Sequence, residues 1–177
     1  YQPSAVFING EYYGMLNIRE RAQKDNVFSN HGFNEDEIMF HGEGSHSENF
    51  LETIDYIKKH SKSTGDTLDS IQKYIYNMVD IEEMFNYFVT QIYIANSDWM
   101  PGNTRRWRPI EDGGRWRWIM FGTEFSQSLY GNYTSNNRLN HAISSEPMLG
   151  AILKYPKFQE KFITKFFVHC ATTFKYE

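Results

Sequence analysis

Asn96-Ser97-Asp98-Trp99-Met100-Pro101-Gly102-Asn103, then Thr104-Arg105-Arg106-Trp107-Arg108, a turn at Glu111-Asp112-Gly113-Gly114, and Arg115-Trp116-Arg117-Trp118-Ile119-Met120-Phe121-Gly122-Thr123-Glu124-Phe125 form the stretch that decides the fold. All four tryptophans of the chain lie in it. It reads as a polar loop leaving a helix, a β-hairpin, and a second polar loop at the hairpin's far end. After the turn, Trp116, Trp118 and Met120 alternate with Arg115, Arg117 and Ile119, the two-residue period of a strand. A hairpin brings its far end back to its start. Asp98, Asn103 and the 122–124 loop are therefore expected to converge.

A carboxylate, a carboxamide five positions on and an acidic loop beyond a hairpin suit metal-nucleotide chemistry. The same Asp-x-x-x-x-Asn spacing in a protein-kinase catalytic loop supplies an Asp that accepts the substrate hydroxyl proton and an Asn that holds magnesium. The plainer alternative is that Asp98 and Asn103 shape a Pro-Gly turn through bonds to the local backbone. Spacing alone does not choose between them.

The longer order of motifs carries more. Asn-x-Asp-Trp, then Asn, a Trp-Arg strand, Arg-Trp-Arg-Trp-Ile-Met-Phe and an acidic turn together resemble the CotH kinase family, the spore-coat protein H group of secreted atypical kinases. Val6-Phe7-Ile8-Asn9-Gly10-Glu11-Tyr12-Tyr13-Gly14, followed by Ile18-Arg19-Glu20, is similar to a second segment of that family. The helix bearing Phe158, Phe162 and Phe166 is similar to a third. The resemblance runs over nearly the whole chain. It implies an α+β, atypical protein-kinase-like fold, with an N-terminal β-hairpin from a truncated small lobe and a mainly helical lobe carrying the Trp/Arg-rich hairpin. In domain terms it implies a single partial domain over 1–177, with a small-lobe remnant over about 1–45 and a helical lobe over about 46–177.

In function, the resemblance implies ATP γ-phosphoryl transfer to serine of surface or spore-coat proteins, with Mg-ATP as cofactor and an extracellular or cell-envelope location. Asp98 would be the catalytic-loop aspartate and Asn103 a magnesium ligand. Glu20 would orient the lysine that grips the nucleotide phosphates, or else simply pair with Arg19 or Arg21. The family's lysine lies on strands upstream of such a hairpin, so the chain is expected to be an excised piece that starts after them. The family also has Asp-x-Asp where this chain has Gly122-Thr123-Glu124. Glycine offers no side-chain ligand, and Glu124 carries its carboxylate two residues later on a longer stem. Magnesium demands near-ideal octahedral geometry. The expectation is a kinase core that is weak or inactive, with possible pseudokinase character and Glu124 as the remaining metal-loop carboxylate. The alternatives are a pseudokinase or surface protein-interaction module, and a carbohydrate-binding or adhesive domain suggested by abundant, exposed Trp and Tyr.

Composition bounds these readings. The chain of 177 residues supports one domain with a sizeable core. Aromatics at 17% favour a packed interior over disorder. A net charge of −4 leaves no footprint for bulk nucleic-acid binding. The arginines between 105 and 117 are accordingly expected to lay their stems over tryptophan faces rather than to form a base-stacking platform. Cys170, the one cysteine, cannot close an internal disulfide and reads as a buried, inert thiol. No apolar run reaches membrane-spanning length.

The rest of the chain supplies the scaffold. Asn9-Gly10 between apolar runs signals a hairpin, and Gly14 a bulge. Asp25 is expected to cap a short helical turn closed by Gly32, and Ile38-Met39-Phe40-His41 to form a strand. Gly42-Glu43-Gly44 lacks the Lys-Ser/Thr of a phosphate loop and reads as a connector. His41 and His46 lack a full zinc ligand set and read as surface residues. Ser47 opens a helix with Phe50, Leu51, Ile54 and Ile57 on one stripe. A second helix opens at Asp66 or Thr67 and carries Leu68, Ile71, Tyr74, Ile75 and Met78. Asp80 with Glu83 makes a capping-box start for a third, with Ile81, Met84, Phe85, Phe88, Ile92 and Ala95 at helical spacing. That third helix is nearly apolar all round, hence central, and delivers Asp98 from a rigid base. The polar 126–140 stretch reads as a long loop containing an N-glycosylation pattern, Asn132-Tyr133-Thr134. Glu146-Pro147 begins a short helix. Tyr155-Pro156 begins the last one, expected to bury Phe158, Phe162, Ile163, Phe166, Phe167 and Cys170.

Overall fold

Asn9 and Gly10 both adopt left-handed backbone, at φ 51° and 86°, the pair of conformations a tight hairpin turn requires. Strand β1 (Gln2–Ile8) therefore folds back on β2 (Glu11–Ile18). The computed structural model describes residues 2–42, 44–99, 102–129 and 135–175. The β1–β2 register shifts between Val6 and Phe7, opposite Gly14 at φ 153°, which is the bulge expected there. Phe7, Tyr12, Tyr13, Met15, Leu16 and Ile18 remain exposed.

Helix α1 (Lys24–His31) follows. Its N-cap is Gln23, and Gly32 closes it at φ 78° by donating its N–H to Phe28 O. Asp25 is thus not the cap. It sits in the first turn, where a carboxylate favours the helix dipole.

Strand β3 (Ile38–His41) pairs antiparallel with β4 (Arg105–Pro109), which pairs antiparallel with β5 (Arg117–Ile119). The Trp/Arg hairpin is therefore two strands of a three-stranded sheet, with β4 in the middle. Trp116 and Trp118 enter the main core, while Trp107 and Ile119 join Val27, Ile38 and Phe40 in a second cluster. All four tryptophans are buried, which removes the exposed indoles that suggested a carbohydrate-binding surface. The arginines stack as expected: the Arg117 guanidinium lies 5.6 Å from the Trp107 ring centre, and Arg106 lies 5.1 Å from that of Phe50.

The helical part comprises α2 (Glu48–Lys59), α3 (Gly65–Met78), α4 (Ile81–Tyr93), α5 (Arg138–Ser145), α6 (Pro147–Ile152) and α7 (Pro156–Ala171). α4 is central, with Met84, Phe85, Phe88 and Val89 fully buried, and it packs on β5, α5 and α7. Asp80 caps it by accepting from Glu83 N. The Glu83 carboxylate does not return the bond. It accepts instead from Trp118 N at 3.0 Å, tying α4 to β5.

Two apolar stripes are narrower than their sequences suggest. On α2, Leu51 is exposed because it lies one step round from the Phe50, Ile54 and Ile57 line. On α7, Phe158 and Phe162 are buried, Phe166 and Cys170 are half-buried, and Ile163 and Phe167 face solvent. A straight helix buries one line of residues three and four apart, and those two lie off it. α3 opens at Gly65, with Thr64 as its N-cap residue. Within 126–140, α5 already begins at Arg138, where Asn137 accepts from Asn140 N at 2.9 Å. The Asn132-Tyr133-Thr134 pattern lies outside the described residues, as does Glu43 of the Gly42-Glu43-Gly44 connector. Among the described residues no helix is long and apolar enough to cross a membrane.

Candidate functional site

Beyond α4 the chain reverses at Ala95, whose φ is 51°, and two polar residues, the first buried and the second half-buried, take over. Asn96 donates its amide to Gln91 Oε1 and to Gly122 O, both at 2.9 Å, and its Oδ1 accepts from Asp98 N at 3.1 Å. Ser97 donates through both its backbone N and its Oγ to Phe125 O, at 3.0 and 2.9 Å. Gln127 N then donates to Ile94 O at 2.8 Å. The loop bearing Asp98 is thereby stapled to the loop after β5. Trp99 holds the same loop down on α4, its Nε1 donating to Tyr87 Oη at 3.0 Å.

Asp98 and Asn103 meet directly. Asn103 Nδ2 donates to Asp98 O at 2.7 Å and to Asp98 Oδ2 at 3.0 Å. The first bond shapes the turn, the second joins carboxamide to carboxylate, so both readings of this pair describe part of it. With its nitrogen engaged, Asn103 presents its oxygen outward as an acceptor or ligand. Asp98 itself is exposed.

Residues 1–177, the whole chain, match the family model described as CotH kinase protein. The chain belongs to the CotH kinase protein family. No curated protein and no solved structure matches it.

The other two sequence-derived site residues of this CotH chain have partners of their own. Glu124 lies on the stapled loop, and its exposed carboxylate pairs with Arg19 Nη1 at 3.6 Å. That contact sets the end of the N-terminal hairpin beside the 122–125 loop. Glu20 pairs with neither Arg19 nor Arg21 but accepts from Asn26 and Asn30 of α1, at 3.0 and 3.4 Å. Hydrogen bonding, with Ser29 the largest contributor, lowers its carboxyl below the usual range.

Gly122 takes φ 62°, and a Cβ built on it would touch nothing within 4 Å. Space for a side chain exists at this position. The backbone conformation is the restriction, one that Asn and Asp bear better than most residues. Among the described residues no three His, Cys, Asp or Glu side chains cluster for a metal ion. Magnesium is usually held by one or two carboxylates completed by substrate phosphates. The Asn103 oxygen suits such a partial set.

Sequence reasoning missed the residues that build the CotH site rather than act in it. Asn96 and Ser97 were quoted as motif letters without a role. The ion pair between Arg106 of β4 and the fully buried Glu146, at the start of α6, was not foreseen. Its only trace in the sequence is an arginine on a strand whose neighbours are all core residues. His41, read as a surface residue, is half-buried against the Phe50 ring at 4.6 Å. Burial, aided by Arg106 and His46, pushes its imidazole down to about 4.

Proposed function

We propose that this chain is a CotH-type protein kinase core in which phosphoryl transfer to serine is weak or lost. The observation that carries this reading is the Asp98–Asn103 pair, stapled by Asn96 and Ser97 to a loop that has glycine at 122. Asp98 accepts the proton of an incoming serine hydroxyl, and its exposure leaves it reachable. Asn103 Oδ1 would be the residue-borne ligand nearest that base for magnesium, which with ATP would supply the phosphoryl donor and the neutralising charge, while the Asp98 carboxylate stays free to take the proton. Glu124 approaches that metal only by leaving Arg19. An exposed ion pair of this kind is worth at most about 1 kcal/mol, so the exchange is open to it. Glu20 reaches a nucleotide-gripping lysine only by giving up Asn26 and Asn30. The acceptor in this reading is a surface or coat protein in the cell envelope.

Electrostatic stabilisation of the transferring group supplies most of phosphoryl-transfer catalysis. A missing metal-loop carboxylate at 122 is therefore enough to weaken it. Gly122→Asp tests the reading, because the site has room for the side chain. Calorimetry of Mg-ATP should show affinity rising roughly ten-fold or more over the unmodified protein, with autophosphorylation appearing in parallel, as expected for one added charged ligand. Tight Mg-ATP binding by the unmodified protein, or a folded variant with no gain, would remove glycine 122 as the cause. The second reading, a pseudokinase serving as a surface interaction module, is favoured by the exposed apolar side chains of the N-terminal hairpin and of Ile163 and Phe167.

A further inference from the structure

A polar cleft of about 400 Å³ adjoins Asn103 on the side of β3. His41, Gly42 and His46 line one wall, and Gly102, Asn103, Thr104 and Arg106 the other. The walls are close-set. A Cβ on Gly42 would lie 2.6 Å from Arg105 Cδ and 3.2 Å from Thr104 O, so glycine is what lets the end of β3 come this near.

Among the described residues the cleft lining carries donors and no carboxylate. Thr104 is 2% exposed, and its hydroxyl has no hydrogen-bond partner among the described residues. Arg106 is 8% exposed; it pairs with Glu146 through Nη2, while its buried Nε has no partner among the described residues. His41 Nδ1 accepts from Ser47 N at 3.2 Å. In the neutral ring this places the proton on Nε2, making that nitrogen a donor. Burial, with Arg106 and His46 adding to it, lowers this imidazole to about 4 and favours the uncharged ring around neutral pH. Each buried polar group left unpaired costs about 1–3 kcal/mol. A ligand oxygen that reached either the Thr104 hydroxyl or Arg106 Nε would recover that cost.

We propose that this cleft receives a single oxyanion group, a side-chain carboxylate or a phosphomonoester, carried by the protein segment presented to Asp98. The identity of the segment as a phosphoacceptor rests on the kinase reading above; the oxyanion chemistry rests on the cleft. Glu146 already neutralises Arg106, so the cleft offers a few hydrogen-bond donors rather than surplus charge, which suits one small anion and not a triphosphate. Asn103 borders both the cleft and Asp98, and among the described residues no carboxylate lines the cleft to hold a metal within it.

The test is peptide binding to the full protein without nucleotide. Three short peptides are compared, alike except that glutamate, phosphoserine or glutamine neighbours an acceptor serine. Calorimetry gives affinity, and the ring ¹H–¹⁵N signals of His41 and His46 report location. The glutamate or the phosphoserine peptide should bind roughly ten-fold tighter than the glutamine peptide, as for one charge-assisted contact, and should move both histidine signals. Whichever of the two binds tighter identifies the source of the oxyanion. Thr104→Val should cut that affinity about five-fold or more while raising Tm, since it removes an unpaired hydroxyl. Equal affinity for all three peptides, or indifference to Thr104→Val, would overturn the proposal. Displacement of the peptide by Mg-ATP, one for one, would also overturn it by making the cleft a nucleotide site. Peptide binding intact in a folded Gly122→Asp variant that still shows no phosphoryl transfer would instead count against the kinase reading alone.

Discussion

At the first turn of α4, Glu83 accepts Trp118 N–H while burial pushes its carboxyl up to about 8. The Trp118 bond opposes that shift, and the nearby Asp80 charge adds to it. The folded-state value thus lies above the unfolded 4.5. Stability from this group is fully present below about 4.5 and is lost as pH rises through about 8. Glu83→Gln keeps an acceptor for Trp118 N and cannot ionise. Thermal melts should show variant and parent alike near pH 4, with the variant gaining steadily above that and levelling off above about 8. A Tm difference independent of pH would show that ionisation of Glu83 does not limit stability. Sequence reading placed Glu83 correctly as the third residue of the helix but gave its side chain the wrong partner. Local spacing predicts bonds within a turn, whereas the Trp118 amide comes from a strand far along the chain. Asn96 and Ser97 were opaque for the same reason, while Asp98 and Asn103 were legible because their bond is local.

Elements were more legible than their contacts. The Asn9-Gly10 hairpin, β3, α4 and the two proline-led helices follow from turn chemistry and period. The pairing of β3 with β4 does not, because alternation in a strand does not name its neighbour. That pairing is what buries both faces of β4 and brings Arg106 to Glu146 at the start of α6. A buried ion pair is poor evidence of net stability, but removing one partner leaves an uncompensated charge. Arg106→Met should therefore destabilise by about 3–5 kcal/mol in urea unfolding, whereas Arg106→Met with Glu146→Leu should recover most of that loss. If the double variant is as unstable as the single, the guanidinium's packing over Phe50 matters more than its charge. Either result identifies what fixes β4 beneath the Asp98–Asn103 turn.

Across the whole molecule, stability is distributed unevenly. α4 sits inside the main apolar cluster, and the β3–β4–β5 sheet is sandwiched between that cluster and a smaller one. The β1–β2 hairpin has apolar side chains exposed along both strands, and two strands alone are marginal in water. Its Arg19–Glu124 link is an exposed pair at 3.6 Å, worth at most about 1 kcal/mol and screened by salt. Opening the hairpin therefore exposes little additional apolar surface, whereas opening α4 disrupts the core. Amide exchange followed by mass spectrometry should show β1–β2 exchanging through local opening, at a free energy several kcal/mol below that of α4, whose exchange tracks global unfolding. Added salt or Glu124→Gln should speed hairpin exchange slightly and leave α4 unchanged. Hairpin amides protected as strongly as those of α4 would mean that this part is held by contacts beyond its own pairing.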